Sequence, residues 1–350
     1  MKQILVVFTG GTIGSTATDG TIDTSSNAPY KLLQLFEQHY PKHTELHFDT
    51  LHPLQMLSEN HAPAVWKTII DAIESAQPSK YDGIIVTHGT DTLAYSAAAL
   101  SLYFNALELP MLLVSSDYPL ENPKGNGLAN FICAVEFIRQ GITTGVYVPY
   151  RNAGQMMQVH RGSRLTCSLQ LSGDFFSVQG NSLLQFDGQH FTSKNVQAID
   201  FGKLDVKGSA MAGSSNTLPL SPHFSNKILM IKPYPGLDYR YFNLEGVDAV
   251  LHDLYHSGTA CVTREWGKNH CLVEFIKQCK ALGIPVYLAP VCQSENAYQS
   301  TRELIEHGAD LIWNMSIEAA YVKLSIAYGN FSDKQQIADF LEQDIAFEHV

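Results

Sequence analysis

Two segments of the chain set hydroxyl groups among glycines directly after short apolar runs. Residues 4–8 lead into Thr9-Gly10-Gly11-Thr12-Ile13-Gly14, and residues 83–87 lead into His88-Gly89-Thr90-Asp91-Thr92. A threonine hydroxyl is a poor nucleophile until a base or a hydrogen-bond network takes its proton. Glycines leave backbone N–H groups room to approach a developing oxyanion. Thr12 is therefore a candidate nucleophile, Thr90 and Asp91 are a hydroxyl beside a carboxylate, and N–H groups around Gly11 and Gly89 are candidate oxyanion donors. Plainer readings stand next to these. The first glycines make a tight turn with Thr12 capping the next segment, and Thr90 and Asp91 cap a helix beginning at Leu93. A nucleotide site fits less well, because Gly10-Gly11-x-x-Gly14 lacks the spacing of G-x-G-x-x-G and no lysine follows as in a Walker A loop.

Both turns need strands to carry them. Residues 4–8 and 83–87 read as buried strands, as do 111–115 and 145–148, while 46–51 alternates. Helices are expected at 30–38, 64–76, 93–104 and 128–139. Strands alternating with helices imply an α/β, doubly wound, mainly parallel sheet, whose chemistry sits at the carboxyl ends of the strands. Residues 15–29 are rich in Thr, Ser, Asp, Gly and Asn without periodicity and read as a long loop of the kind used as a lid or binding loop.

At 350 residues the chain is long for one core. Composition turns polar across 173–225, so a linker is expected at 201–225, between an N-terminal domain (1–200) and a smaller α/β C-terminal domain (226–350). The latter shows strands at 228–231, 249–251 and 285–288 and helices at 271–281, 301–306 and 317–327. Thirty-four acidic against 23 basic residues give a formal net charge of -11, which disfavours nucleic acid or an anionic membrane as a partner. The pair Arg161 and Arg164 is too small a cluster to track phosphates. The N-terminal run reads as a strand rather than a secretory signal and no segment reaches membrane-spanning length, so a cytoplasmic protein is expected. Cys133, Cys167, Cys261, Cys271, Cys279 and Cys292 form no CxxC pair, which favours reduced thiols and no metal site. His52, His61 and His256 lack metal spacing and read as surface or hydrogen-bonded groups.

The two turns also carry a family resemblance. Thr9-Gly10-Gly11-Thr12-Ile13-Gly14 and Val86-Thr87-His88-Gly89-Thr90-Asp91-Thr92-Leu93-Ala94-Tyr95 resemble the two signature segments of bacterial L-asparaginases, the cytoplasmic type I branch in particular. Pro119-Leu120 with Asn126, Gly127 and Asn130, then Arg161 to Arg164, Tyr234-Pro235-Gly236 and Ser316 to Leu324 resemble further segments in order, so that residues 4–327 are covered. The resemblance implies a two-domain asparaginase-like fold and an amidohydrolase that frees ammonia from a small amino-acid amide through an acyl-enzyme. It implies no metal or organic cofactor, and a homodimer or homotetramer. Thr12 would attack the side-chain amide, Thr90 would assist, Asp91 would grip the α-amino group, and Ser58 would contact the α-carboxylate, with Asn60 and His61 adjacent.

Three positions depart from the family pattern. Cys167 stands where a lysine is expected behind the second threonine, and a thiol offers no positive charge in either protonation state. Thr21 stands near where a lid tyrosine is expected, with Tyr30 as a replacement if the loop bends differently. Glu59 follows Ser58 in place of a neutral residue, which favours an amino group and repels a carboxylate. Three functional readings follow: an amide hydrolase with an altered relay, a ligand-binding protein with impaired catalysis, or a cysteine chemistry needing His88 or His160 beside Cys167. Cys167 as a small hydrophobe filling the space of the lysine is the plainer reading of that residue. Lys124 is a candidate to enter the gap.

Overall fold

Apolar runs with almost no polar interruption, at residues 4–8, 83–86 and 110–114, build the inner parallel strands of the larger sheet. The computed structural model describes residues 1–18, 21–24, 28–193, 219–293 and 296–350, without the side chains of residues 16–18, 21–24, 28 and 29. Two compact units divide the chain, Met1–Pro222 and His223–Val350. The expected linker lies, up to residue 218, outside the described residues.

The first unit contains β1 (Lys2–Phe8), β2 (Ser15–Thr18), β3 (Thr21–Thr24), α1 (Ala28–His39), β4 (Leu46–Leu51), α2 (Pro63–Ser75), β5 (Gly83–Thr87), α3 (Leu93–Tyr103), β6 (Pro110–Val114), α4 (Gly127–Gln140), β7 (Gly145–Tyr150), β8 (Met157–Arg161), β9 (Leu184–Phe186) and β10 (Phe191–Ser193). An eight-stranded sheet runs in the order β4-β1-β5-β6-β7-β8-β9-β10. Its first five strands are parallel and its last three antiparallel. β5 and β6 are buried along their whole length, the state in which parallel strands read as continuous apolar runs. Ile4, Val6 and Phe8 join a core with Leu32 and Phe36 of α1 and Phe131 and Phe137 of α4. Leu5 and Val7, on the other face, are equally buried. The helices α2 and α3 contact one another, with Trp66 Nε1 donating to Ser96 Oγ at 3.0 Å.

Chain order matters for the site. From β1 the chain crosses to β4 on one side and then returns to β5 on the other, so the strand order reverses between β1 and β5. Ligands bind at such switch points, outside the carboxyl ends of the strands. Phe8 pairs with Thr87 and Thr87 with Val114, so β1, β5 and β6 end in step.

The structure corrects the reading of 15–29 as a loop. Residues 15–18 and 21–24 form a two-stranded antiparallel ribbon, Ser15 opposite Thr24 and Thr18 opposite Thr21, and α1 starts at Ala28. The β-branched threonines and Ile22 favour extended backbone although the ribbon has no apolar alternation.

The second unit is a four-stranded parallel sheet in consecutive order: β11 (Ile228–Ile231), β12 (Ala249–His252), β13 (Val286–Val291) and β14 (Ala309–Trp313). Its helices are α5 (Leu272–Ala281), α6 (Gln299–Glu306), α7 (Ile317–Asn330) and α8 (Lys334–Glu342). Val250, Val286 and Leu288 pack against Leu272, Phe275 and Ile276 of α5. Among the described residues no disulfide forms and no helix is long and apolar enough to cross a membrane.

A fully buried ion pair fastens the segment after α8. Lys323 Nζ meets Glu348 Oε1 at 2.6 Å with both side chains at 0% exposure, and the ammonium also donates to the Gln343 carbonyl. Glu348 Oε2 accepts from the Ala346 amide at 2.7 Å, and the Val350 amide donates to the Asn314 carbonyl at 2.8 Å. Removing one partner strands the other charge in the interior. Lys323→Met is expected to cost roughly 3–5 kcal/mol in denaturant unfolding, and Lys323→Met with Glu348→Leu to recover most of it. A single variant as stable as the parent would show that the pair does not hold the segment.

Candidate functional site

Three segments meet at the carboxyl ends of β1 and β5. Thr9 Oγ1 donates to the Thr87 carbonyl at 2.6 Å and ties the two strand ends together. The Met56 amide donates to the Thr9 carbonyl and the Gly11 amide to the Met56 carbonyl, each at 3.1 Å, which lays residue 56 alongside the first turn. Gly10 and Gly11 have φ of 99° and 76°, a region side chains rarely adopt. Space requires glycine as well. A Cβ on Gly10 would lie 2.4 Å from the Met56 carbonyl oxygen, and one on Gly11 2.2 Å from the Gly89 nitrogen. At Gly89 a Cβ would lie 2.3 Å from Ser58 Oγ. Backbone thus packs on backbone at Gly11 and Gly89, with the Ser58 hydroxyl beside them.

Thr12 opens a single 3₁₀ turn, Thr12–Gly14, that buries Ile13 and leaves Thr12 half-buried; Ser15 Oγ closes it by donating to the Gly11 carbonyl at 2.6 Å. Thr90 is half-buried and Asp91 exposed. Ser58 is buried at the start of a second 3₁₀ turn, Ser58–Asn60. Its Oγ accepts from the Asp91 amide at 3.2 Å and donates to Asp91 Oδ2 at 3.4 Å, and its carbonyl accepts from Thr92 Oγ1 at 3.0 Å. Glu59 and Asn60 are exposed beside it. Gly11, Gly89, Ser58 and Asp91 are therefore joined by contact, and Thr12 and Thr90 each follow one of the touching glycines. Thr21 begins β3, and its side chain lies outside the described residues. Tyr30, in α1, is exposed.

The Gly11 amide itself is committed to the Met56 carbonyl, whereas the Thr12, Gly89 and Thr90 amides meet no acceptor among the described residues. The N–H groups left for an oxyanion are therefore those next to Gly11 and at the second turn.

The His61 expectation is corrected. His61 is half-buried, its two ring nitrogens are buried without a hydrogen-bond partner, and its ring stands edge-to-face with His88 at 4.9 Å and 87°. His88 has no exposure at all. A carbonyl only accepts, so the 2.7 Å contact to the Gly89 oxygen puts the proton on His88 Nδ1 and leaves Nε2 bare. Burial, with His61 next to it, pushes the His88 imidazole down to about 3, and burial lowers His61 as well. Nothing in the sequence marks the His61 ring for this contact, because its partner His88 lies 27 positions away.

Cys167 is half-buried on the segment after β8. The 3₁₀ turn Gly162–Arg164 leading to it packs on α3, where a Cβ on Gly162 would lie 2.6 Å from Ser101 Oγ. His88 Nε2 has no partner, so that imidazole does not engage the Cys167 sulfur, and His160 Nδ1 is held by Ser177 Oγ at 2.8 Å. Among the described lysines of the first unit, Lys2, Lys42 and Lys80 lie at or before the amino ends of parallel strands, opposite the turns. Lys31 and Lys67 are paired with Glu121 and Asp71. Lys124 sits in the turn before α4, its amide bonded to Asn122 Oδ1, and no hydrogen bond or ion pair joins it to the site among the described residues. Among the described residues no cluster of three or more His, Cys, Asp or Glu is arranged to hold a metal ion.

Residues 3–198 match the family described as "Asparaginase, N-terminal". The thermostable L-asparaginase of Thermococcus kodakarensis superposes with a TM-score of 0.77 at 25% identity over 99% of each chain. L-asparaginase I of Vibrio cholerae gives 0.75 at 25% identity over 100% of this chain and 99% of that one. A glutamyl-tRNA(Gln) amidotransferase component of Saccharolobus islandicus is 25% identical over 365 residues, spanning 99% of this chain and 76% of that protein.

The buried His88 gives a pH prediction. Its folded value lies below the roughly 6.5 of an unfolded histidine, so its contribution to stability is complete above that pH and declines as pH falls toward about 3. Urea unfolding in this window should lose up to about 1.4 kcal/mol per pH unit on account of His88. His88→Asn is expected to remove that share of the slope; parallel slopes in parent and variant would contradict a buried neutral imidazole.

Proposed function

The chain belongs to the asparaginase family, and we propose that it is an amidohydrolase that releases ammonia from the side-chain amide of L-asparagine or a related small amide through a Thr12 acyl-enzyme. The observation that carries this reading is the direct backbone packing of Gly11 on Gly89, which sets a candidate nucleophile and a hydroxyl–carboxylate pair on adjoining turns at the switch point of the sheet. In this reading Thr12 Oγ attacks the amide carbon while the Gly89 and Thr90 amides receive the negative charge growing on its oxygen. The carbon–nitrogen bond breaks and the nitrogen leaves as ammonia, carrying the proton given up by the Thr12 hydroxyl. Water then cleaves the Thr12 ester, freeing the acid and restoring the hydroxyl. The Ser58–Asp91 hydrogen bond opens to the ligand, Asp91 taking the α-amino group and Ser58 the α-carboxylate. Gly11 supplies the close approach rather than a donor. The proposal includes no metal or organic cofactor, a homodimer or homotetramer, and a cytoplasmic setting.

A second reading, a ligand-binding protein with impaired catalysis, is favoured by Cys167 and by the lysine positions of the first unit. Among the described residues activation then rests on Thr90 and Asp91, and loss of a general base costs about a hundred- to ten-thousandfold in rate. Ammonia release from L-asparagine, L-glutamine and D-asparagine separates the readings. Expected are turnover in the parent, none in Thr12→Ala, and a gain of up to about a hundred- to ten-thousandfold in Cys167→Lys. A silent parent with an active Cys167→Lys would establish the second reading.

Glu59 offers a further check. Its carboxylate lies next to Ser58, the proposed seat of the α-carboxylate, so Glu59→Gln should lower KM for L-asparagine by about two- to fivefold, the scale of an exposed charge pair. The KM of asparagine amide, which lacks that carboxylate, should stay unchanged; an equal change for both would remove Glu59 from the site.

A further inference from the structure

The His88–His61 pair lies behind the two turns and takes no part in the chemistry just described. A trans peptide points its C=O and N–H in opposite directions. The Gly89 carbonyl and the Thr90 amide belong to one such peptide group. His88 Nδ1–H holds that carbonyl at 2.7 Å against a ring with no solvent exposure, which turns the Thr90 N–H to the opposite side, where no described acceptor takes it. The edge-to-face contact with His61 fixes the tilt of the His88 ring at 4.9 Å. His61 is itself anchored to the other half of the site, its amide donating to the Ser58 carbonyl at 3.1 Å.

We propose that His88 is a positioning residue that sets the Gly89–Thr90 peptide plane, aiming the Thr90 N–H at the oxyanion, with His61 as the packing partner that holds the imidazole in place. Its kinetic consequence rests on the amidohydrolase reading; the orientation of the peptide does not. Removing the Nδ1–H donor frees the plane without touching Ser58 or Asp91, so transition-state stabilisation falls while ground-state binding remains.

The test compares the parent with His88→Leu, which has no donor, and His88→Asn, whose side-chain amide places an N–H near the Nδ1 position. With L-asparagine, kcat of His88→Leu should fall about ten- to a hundredfold, with KM within about twofold of the parent, and His88→Asn should recover most of the loss. Crystal structures of the same proteins should show the Gly89 carbonyl turned away in His88→Leu and retained in His88→Asn. His88→Met serves if His88→Leu does not fold. An unchanged peptide plane without the donor, an unchanged kcat, or a His88→Asn as slow as His88→Leu would overturn the proposal. If the parent itself turns over nothing, the amidohydrolase reading fails and the crystallographic comparison alone decides the role of His88.

Discussion

The arrangement of the site depends on one steric constraint, the absence of a Cβ where Gly11 meets Gly89. Two strand ends that stop in step would leave their turns a side chain apart if either position carried one. With hydrogen at both, the backbones touch, and the space saved at Gly89 is taken by the Ser58 hydroxyl. Three segments remote in sequence thereby share one small volume. The arrangement is held by backbone and buried hydroxyls, which lose little conformational entropy, so the candidate reacting groups sit on a frame already ordered before any ligand arrives.

The inner parallel strands are legible in the sequence because β1, β5 and β6 are buried on both faces and read as apolar runs, while the edge strand β4 shows itself by alternation. The rest is hidden for identifiable reasons. The ribbon of residues 15–18 and 21–24 is built mainly of polar, β-branched residues and shows no alternation. β8 buries Gln158 and His160 along with its apolar residues, Gln158 Nε2 donating to Gln155 and His160 Nδ1 meeting Ser177 Oγ, so its pattern resembles neither a core nor a half-exposed strand. β9 and β10 are three residues each, too short for a period. α8, absent from the expected helices, is capped by Asp333, which accepts from the Gln335 and Gln336 amides, a signal the sequence does carry.

At the site, turn chemistry marks Gly11 and Gly89, and the family pattern marks Ser58 and Asp91. What the sequence does not contain is pairing: that Gly11 commits its amide to Met56, that Ser58 answers Asp91, and that the His61 ring meets His88 edge-on. Each is a tertiary fact about two distant residues. The same limit applies to Cys167, whose departure from the family pattern is plain in the sequence while the groups around it are set by the packing of the Gly162 turn on α3.

The placement of β1 has a consequence for how the chain comes together. β1 is the earliest strand yet lies inside the sheet, and its two neighbours end at Leu51 and Thr87. Until both have been synthesised, an apolar strand stands with one or both edges unpaired, the condition under which nascent chains associate wrongly. The turn bearing Thr12 is equally without its counterpart until the second turn arrives. Assembly of the site is therefore a late, long-range event in folding, reached only after two crossovers have closed, and a ribosome pausing before residue 87 would hold the chain at its most adhesive stage.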